Sequence, residues 1–170
     1  MAVLDTIFKR WPYVAFALSA AMLAVAHGFQ SFGHLAPCHL CLKQREVYWA
    51  AMAVSAVAVA ASLTRYGAPA PRIASLILAV VFAYGAYLAV FHAGAEWKWW
   101  PAPPSCASTG AAVTLADLKA LLSGATSKPP ACDVAPWRLL GLSMAGWNAL
   151  ASAALVGLSL TAAARKGRPA

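Results

Sequence analysis

The amino-acid sequence predicts an all-α membrane protein in which four transmembrane helices form a bundle. Hydrophobic residues make up 62% of the chain and charged residues only 11%, whereas about a quarter of the residues in a soluble domain are charged. Four apolar runs alternate with polar connections, and each run is close to the length of about 20 residues that a membrane-spanning helix needs. We therefore predict a single membrane domain over residues 1–170.

The first span is predicted at about residues 12–30. No Lys, Arg, Asp or Glu occurs between Trp11 and Leu42, and Trp11 and Tyr13 are residues that favour a membrane interface. A cleaved signal peptide would also have a basic start and an apolar core, but this run is longer than a typical signal core. We therefore expect the segment to be part of the bundle.

The second and third spans are predicted at about residues 45–63 and 73–92. An Ala- and Val-rich run forms most of the second span, and a short turn with two arginines, residues 64–72, separates it from the third. The fourth span is predicted at about residues 142–163. Helices of this length satisfy their backbone hydrogen bonds internally, as a structure inside a bilayer must.

The remaining residues form two outer connections, at about residues 31–44 and 93–141. The longer connection contains three tryptophans and three prolines before its first cysteine. Thr114–Asp117 resembles a capping box, and leucines recur at helical spacing from there to residue 122. This pattern predicts a short amphipathic helix on the membrane face. An ordinary loop helix packed against its own connection is the alternative.

The distribution of basic residues predicts which side of the membrane each connection faces. Seven Lys or Arg lie in three short segments, namely the N-terminal stretch, the 64–72 turn and the C-terminal tail. The shorter outer connection has none before Cys41, and the longer one has four, widely spread. The positive-inside rule therefore places both termini in the cytoplasm and all four cysteines in the outer compartment.

The net charge of +8 does not indicate nucleic-acid binding. The basic residues occur singly or in pairs between apolar runs, and no basic stripe is interleaved with aromatic residues. We therefore expect the lipid bilayer, and no nucleic acid, among the partners. The even number of cysteines, all outside the apolar runs, suits an oxidising compartment.

Cys38 and Cys41 form a Cys-x-x-Cys pair between the first two spans. Two thiols at this spacing can close a small disulfide, and the pair can therefore take up or release two electrons. Arg45 follows Cys41 by one helical turn, so its positive charge and the helix dipole would both favour a thiolate at Cys41. We predict a redox-active pair with Arg45 as a further catalytic residue.

An inert structural disulfide and a metal site are the alternatives for this pair. Covalent haem attachment needs a histidine directly after the second cysteine, where this chain has Leu42. Zinc needs a second closely spaced pair of ligands, and Cys106 and Cys132 are far apart in the sequence. We therefore predict no metal.

Cys106 and Cys132 could simply staple the longer outer connection, as disulfides often do in secreted loops. The proline-rich arm before Cys106 is a poor staple, however, and is better suited to presenting a sulfur to another protein. Exchange with a partner protein needs a reachable sulfur. We therefore predict that Cys106 and Cys132 are catalytic and that Cys106 is accessible.

Gln44 and Arg45 at the head of the second span, and His92 at the outer end of the third, each have two interpretations. Gln44 and Arg45 could simply anchor the helix at the membrane interface, and His92 could be a buried or interfacial histidine. The functional interpretation is that Arg45 stabilises a thiolate or a reduced quinone anion, and that His92 forms a hydrogen bond to a quinone carbonyl.

Taken together, these motifs resemble the DsbB family, the bacterial disulfide bond formation proteins of the inner membrane. The segments that carry the resemblance are Cys38–Arg45, His92–Trp97, Trp99–Cys106, Cys132–Asp133, Trp137–Arg138 and Gly141–Met144. They extend over nearly the whole chain. The Cys-x-x-Cys motif alone is a weak signal, whereas the ordered set of four cysteines, Arg45 and four spans is specific.

The resemblance implies a relay of electrons from protein thiols to a quinone. A reduced DsbA-like thiol oxidase of the periplasm would form a mixed disulfide with Cys106, whose partner cysteine is Cys132. Electrons would pass to Cys38 and Cys41, and Cys41 would reduce a membrane quinone, ubiquinone in preference to menaquinone. The quinone-binding residues implied are Cys41, Gln44, Arg45 and His92.

The resemblance also implies a multi-pass protein of the inner membrane with cytoplasmic termini, two periplasmic loops and periplasmic cysteines. Two alternatives remain open: a relative of the same family that serves one dedicated substrate, and a structural membrane protein with two inert disulfides. A quinone reductase related by convergence to vitamin K epoxide reductase would carry its redox motif near the end of a later helix, whereas here the motif precedes the second span.

Overall fold

The structure is a computed structural model that describes residues 2–64, 70–106 and 131–165. Helices account for most of these residues. In chain order the elements are α1 (Ala2–Lys9), α2 (Trp11–Ser31), α3 (His39–Ser62), α4 (Ala70–Glu96), a 3₁₀ turn (Pro104–Cys106), strands β1 (Arg138–Leu139) and β2 (Leu142–Ser143), and α5 (Met144–Ala164). The predicted amphipathic helix that follows Thr114 lies outside the described residues.

Local sequence signals explain where the helices begin. Helix α2 has Pro12 in its first turn, where the missing N–H of proline has no intrahelical partner to lose. At the start of α3, Cys38 Sγ accepts a hydrogen bond from the backbone N–H of Cys41 at 3.3 Å. At the start of α5, Ser143 Oγ accepts one from the N–H of Gly146 at 3.1 Å. Both caps satisfy a donor that the helix leaves free.

Helix α4 is central to the packing, because it contacts both α3 and α5, while α2 packs on α3. The largest buried side chains where the helices meet are Trp11, Tyr48, Leu78, Phe82 and Leu155. Small residues allow close approach of helices, and a Cβ added at Gly85 would lie 2.9 Å from Val47 Cγ1. Large apolar side chains such as Val57 and Val80 face outward, as expected of a surface in contact with lipid.

Among the described residues, three helices are long and apolar enough to cross a membrane: α2, the Pro71–Glu96 part of α4, and α5. They confirm the prediction of a mostly helical protein with apolar helices of membrane length. Helix α3 has 24 residues, but Lys43, Arg45 and Glu46 make its first part too polar for the bilayer interior. The second span, predicted at about residues 45–63, and with it the total of four spans, therefore stays a prediction.

A short β-hairpin, which the sequence did not predict, leads into α5. Strands β1 and β2 pair antiparallel with Arg138 opposite Ser143. Between them Leu140 and Gly141 have φ values of 52° and 82°, as in a two-residue turn of type I′. The predicted fourth span therefore starts with this hairpin rather than with helix. The hairpin also brings the charge of Arg138 close to Glu96 at the end of α4.

Candidate redox site

All four cysteines lie together at one end of the helix bundle. Cys38 and Cys41 are free thiols whose sulfur atoms are 3.0 Å apart. Cys106 and Cys132 form a disulfide, with their Cα atoms 5.2 Å apart. Cys38, Cys106 and Cys132 belong to one buried cluster, in which the sulfur atoms of Cys38 and Cys132 lie within 4.8 Å of each other. A dithiol therefore lies directly beside a disulfide.

Cys38 and Cys41 differ in acidity because of the way α3 holds them. The Cys38 thiol donates a hydrogen bond to Cys41 Sγ, and this bond outweighs burial and lowers the pKa of Cys41 from the ordinary 9.0 to about 7. The charge of Arg45 also lowers the Cys41 pKa, by a smaller amount. The same hydrogen bond, together with burial, raises the pKa of Cys38. Near neutral pH the pair therefore holds a reactive thiolate at Cys41 and a proton on Cys38.

Arg45 connects α3 to the last turns of α2. Its guanidinium donates hydrogen bonds to Gln30 Oε1 at 2.6 Å and to the carbonyl oxygen of Ala26 at 2.9 Å. Among the described residues its hydrogen bonds thus go to α2 and not to Cys41. Arg45 acts on the Cys41 thiolate through space, in the direction that the sequence predicts.

Buried hydrogen bonds connect Cys38 to α4 and α5. Cys38 Sγ lies 3.6 Å from His92 Nε2, and the other ring nitrogen, His92 Nδ1, lies 2.9 Å from Gln44 Nε2. Gln44 Oε1 in turn accepts a hydrogen bond from Asn148 Nδ2. The predicted site residues His92 and Gln44 are therefore brought together behind Cys38, and Asn148 joins them from α5.

The chain of hydrogen bonds continues beyond Asn148. The Tyr48 hydroxyl donates to Asn148 Oδ1, and it lies 3.2 Å from Ser152 Oγ. Each member from Gln44 to Ser152 has both a donor and an acceptor, so the same geometry can be satisfied with the donors pointing in either direction. The orientation of the Gln44 amide therefore decides which nitrogen of His92 carries the proton.

Glu96 is a candidate site residue that the sequence analysis did not single out, although it lies in the His92–Trp97 segment. Its Oε1 atom lies 3.7 Å from His92 Nε2, and its side chain is only 3% exposed. Its Oε2 atom has no hydrogen-bond partner among the described residues. Ser143 and Arg138 lie close enough to act on this carboxyl group electrostatically. The spacing of one helical turn from His92 is the signal that could have identified Glu96.

The C-terminal end of α4 is held in place next to the cysteines. Trp100 Nε1 donates to the carbonyl oxygen of Phe91 at 2.8 Å, and the two rings stack. A Cβ added at Gly94 would lie 2.1 Å from Trp100, so the indole packs against bare backbone. Lys98 forms an ion pair with Asp133, the neighbour of Cys132, and thereby lowers the pKa of that carboxyl. These contacts fix the segment that follows Cys132 against α4.

The predicted accessibility of Cys106 is wrong for this conformation. Cys106 is only 4% exposed, because the arm folds it into the cluster with Cys38 and Leu40 and against Ala102. Attack on its sulfur therefore requires the arm to leave the cluster.

Cys38, His92 and Cys132 also have the spacing of a metal-ligand set, since their sulfur and nitrogen atoms all lie within 4.8 Å of one another. A cysteine binds metal as a thiolate, however, and Cys132 is bonded to Cys106. In this disulfide state the cluster can offer a metal only two of the three side chains. The expectation that no metal is needed stays a prediction.

Removing the charge of Arg45 is expected to raise the pKa of Cys41, because the guanidinium no longer stabilises the thiolate. Alkylation of Cys41 by a small neutral reagent reports the thiolate fraction, which should be half-maximal near pH 7 in the natural chain and at a higher pH in Arg45→Gln. Lys43→Gln is the matched control. It also removes a positive charge from α3, but the charge of Lys43 is already paired with Glu46. Identical pH profiles for Arg45→Gln and the natural chain would contradict this account.

The family and the relatives that match this chain are all disulfide bond formation proteins. The family described as "Disulfide bond formation protein DsbB" matches residues 8–162. A "Disulfide bond formation protein B" of Methylococcus capsulatus is 32% identical over 142 residues, which cover 79% of this chain and 80% of that protein. A protein of the same name from Marinobacter nauticus is 32% identical over 165 residues, which cover 95% of each chain. No solved structure matches the chain.

Proposed function

Since the chain belongs to the DsbB family of disulfide bond formation proteins, we propose that it is a protein-dithiol:quinone oxidoreductase of a bacterial inner membrane. It takes two electrons from a periplasmic DsbA-like thiol oxidase and passes them to a membrane quinone, which sustains disulfide formation in the periplasm. The observation that carries the proposal is the free dithiol of Cys38 and Cys41 beside the Cys106–Cys132 disulfide.

The Cys106–Cys132 disulfide receives the electrons of the partner protein. A partner thiolate attacks Cys106 Sγ, the bond between Cys106 and Cys132 breaks, and Cys132 leaves as a thiolate. The second partner thiol then attacks the mixed disulfide, so the partner gains a disulfide and Cys106 and Cys132 hold the two electrons. Because Cys106 is buried, this half-reaction requires the arm from Pro103 to Cys106 to move.

The electrons then pass to the inner pair, Cys38 and Cys41. The Cys132 thiolate attacks Cys38 Sγ of a Cys38–Cys41 disulfide, and Cys41 leaves as a thiolate. Cys106 next attacks Cys132, which closes the outer disulfide and leaves Cys38 and Cys41 reduced. The short separation of the Cys38 and Cys132 sulfur atoms and the low pKa of Cys41 both favour this direction, because a thiol of low pKa leaves faster.

Cys41 and Arg45 are the residues best placed to hold a quinone, and we propose ubiquinone. A quinone, when bound, accepts two electrons and two protons. Cys41 and Arg45 are half-buried, and Arg45 lies where α3 meets α2, so both can be reached from the surrounding lipid. A thiolate and a guanidinium supply the electron donor and the positive charge that this chemistry needs. Gln44 and His92 are buried and hydrogen-bonded to each other. This arrangement suits a role in supporting Cys38 better than direct contact with the quinone.

We propose four spans with both termini in the cytoplasm and the cysteine cluster in the periplasm. Helix α3 packs against α2 and α4, both of which have membrane length, so its apolar part fits the same layer. The start of α3 and the end of α4 contribute to the cysteine cluster, and α5 joins them where Asn148 bonds to Gln44, which suits one face of the membrane. The basic residues near the opposite helix ends support the cytoplasmic orientation of that side.

A reconstituted assay tests the proposed function. The purified chain is mixed with a short-chain quinone and a reduced periplasmic thiol oxidase, and the quinone absorbance is followed together with the thiols of the partner. We expect equal amounts of quinone consumed and partner disulfide formed, and no consumption without the partner. A correctly folded helical protein that gives no thiol-dependent loss of quinone would overturn the proposal.

A further inference from the structure

We propose that His92, supported by the negative charge of Glu96, takes up the proton of the Cys38 thiol when the Cys38–Cys41 disulfide closes. This inference deepens the proposed function and rests on it. His92 contacts the reacting sulfur, and Glu96 is the positioning residue that supplies a compensating negative charge behind it.

The need for a proton acceptor follows from the state of the dithiol. Conversion of Cys38 and Cys41 to a disulfide releases two electrons and two protons in total. Cys41 is the more acidic thiol, and it is only half-buried, so its proton can leave to solvent. The second proton lies on Cys38, which is buried in the cluster. Closure therefore requires an acceptor for this proton inside the protein.

The geometry supplies that acceptor. His92 Nε2 lies 3.6 Å from Cys38 Sγ, within the range of a sulfur hydrogen bond, and Glu96 Oε1 lies 3.7 Å from the same nitrogen. When the S–H bond of Cys38 breaks and an N–H bond forms at His92 Nε2, the imidazolium has a carboxylate beside it. A buried imidazolium without such a partner would be strongly disfavoured. Glu96 Oε2 accepts no hydrogen bond from the described residues, so this atom is available to take the proton on from His92.

The Gln44 amide determines whether His92 can accept. While Gln44 Nε2 donates to His92 Nδ1, a neutral imidazole carries its own proton on Nε2. Reversing the amides of Gln44 and Asn148 keeps every hydrogen bond of the chain, because amide oxygen and nitrogen exchange places in the same geometry. The Nδ1–H group of His92 then donates to Gln44, and the lone pair of Nε2 faces Cys38. Proton uptake uses this second direction.

Neutralising Glu96 should have two effects of opposite sign on the cysteine pair. The charge of Glu96 raises the pKa of Cys41, so its removal makes the Cys41 thiolate more stable. The same change removes the charge that lets His92 hold the Cys38 proton, so closure becomes slower. Arg45 acts on Cys41 in the opposite direction to Glu96, and it remains in place. A merely structural role for Glu96 would not produce a gain at one cysteine and a loss at the other.

The experiment follows disulfide closure without a quinone. In a Cys106→Ser, Cys132→Ser background Cys38 and Cys41 are the only thiols. The reduced protein is mixed with 2,2′-dipyridyl disulfide, and release of thiopyridone is followed at several pH values. The first release reports attack by Cys41 on the reagent. The second reports attack by Cys38 on the mixed disulfide, in which Cys38 loses its proton and one thiopyridone leaves.

Glu96→Gln is expected to slow the second release by about 10²-fold near neutral pH, the usual scale for loss of a positioned acid–base group. The rate should then rise in proportion to hydroxide, while the first release shifts to lower pH. Glu46→Gln is the matched control, since Glu46 is an exposed carboxylate on α3 that is paired with Lys43, and both phases should be unchanged. A second phase that is equally fast in Glu96→Gln and in the parent background would overturn the inference.

A second measurement decides the question even where Glu96→Gln does not fold. In the parent background the second phase should be independent of the concentration of buffer base, because the acceptor is internal. A rate that increases in proportion to buffer base would mean that solvent species take the Cys38 proton, and would overturn the inference. Absence of quinone reduction in the reconstituted assay would instead count against the proposed function alone, since no quinone takes part here.

Discussion

We expect that replacing Cys41 by serine abolishes quinone reduction, so that the rate falls to the rate measured without protein. A hydroxyl cannot provide the thiolate that the lowered pKa of Cys41 supplies near neutral pH, nor can it close a disulfide with Cys38. No two-electron route then leads from the outer pair, Cys106 and Cys132, to the quinone, whichever thiol is offered as reductant. The measurement is the quinone absorbance in the reconstituted assay with Cys41→Ser in place of the natural chain.

The Cys41→Ser variant also provides its own control. The Cys106–Cys132 disulfide remains available, so one equivalent of reduced partner should still be oxidised in a single burst without turnover. In a protein whose disulfides are inert staples, loss of a cysteine would lower only the free energy of unfolding, by about 2–4 kcal/mol for a disulfide. Sustained quinone reduction by Cys41→Ser would contradict the proposed relay.

The second large effect is expected from replacing Cys106 and Cys132 together by serine. Oxidation of the partner protein should stop, because the disulfide that the proposed relay offers to the partner is gone. A small dithiol should still support quinone reduction, since Cys41 is only half-buried and the Cys38–Cys41 disulfide can be reduced directly. Parallel assays with the protein partner and with dithiothreitol measure the two activities.

Asp133→Asn is the control for the double variant, because it changes the neighbour of Cys132 but removes no sulfur. It breaks the ion pair with Lys98, and such exposed pairs contribute at most about 1 kcal/mol, so turnover with the partner should persist. Loss of the dithiothreitol reaction in the double variant would show that the two cysteine pairs are not separate stages. Partner oxidation that survives without Cys106 and Cys132 would show that the outer pair is not the entry point.

The sequence predicted the helices well because the signals that produce them are local. Apolar runs of membrane length and the polar residues between them are visible without any knowledge of packing. The hairpin after Arg138 was missed, since it has only two residues in each strand. Its turn places Leu140 at a positive φ, where a glycine or asparagine would have been the usual signal.

The candidate site was predictable only as far as its residues lie close in sequence. Cys38, Cys41 and Arg45 share one helix end, so their relation follows from helical geometry. Arg45 nevertheless reaches across to α2, because a long side chain takes the acceptors that the neighbouring helix offers. The meeting of Glu96 and Asn148 with the cysteine pair depends on how α4 and α5 are rotated against α3, which no local pattern specifies.

The sulfur atom of Cys38 has a structural role in addition to its proposed chemical role. In the proposed relay Cys38 Sγ reacts, and it also caps the first turn of α3 by accepting a hydrogen bond from the backbone N–H of Cys41. Each time Cys38 bonds to another cysteine, the cap must adjust. We therefore expect the first turn of α3 to fray transiently during turnover, which amide hydrogen exchange would detect. An inactive Cys38 variant is therefore better made with serine, which retains a capping oxygen, than with alanine, which forfeits about 1 kcal/mol of helix stability together with the chemistry.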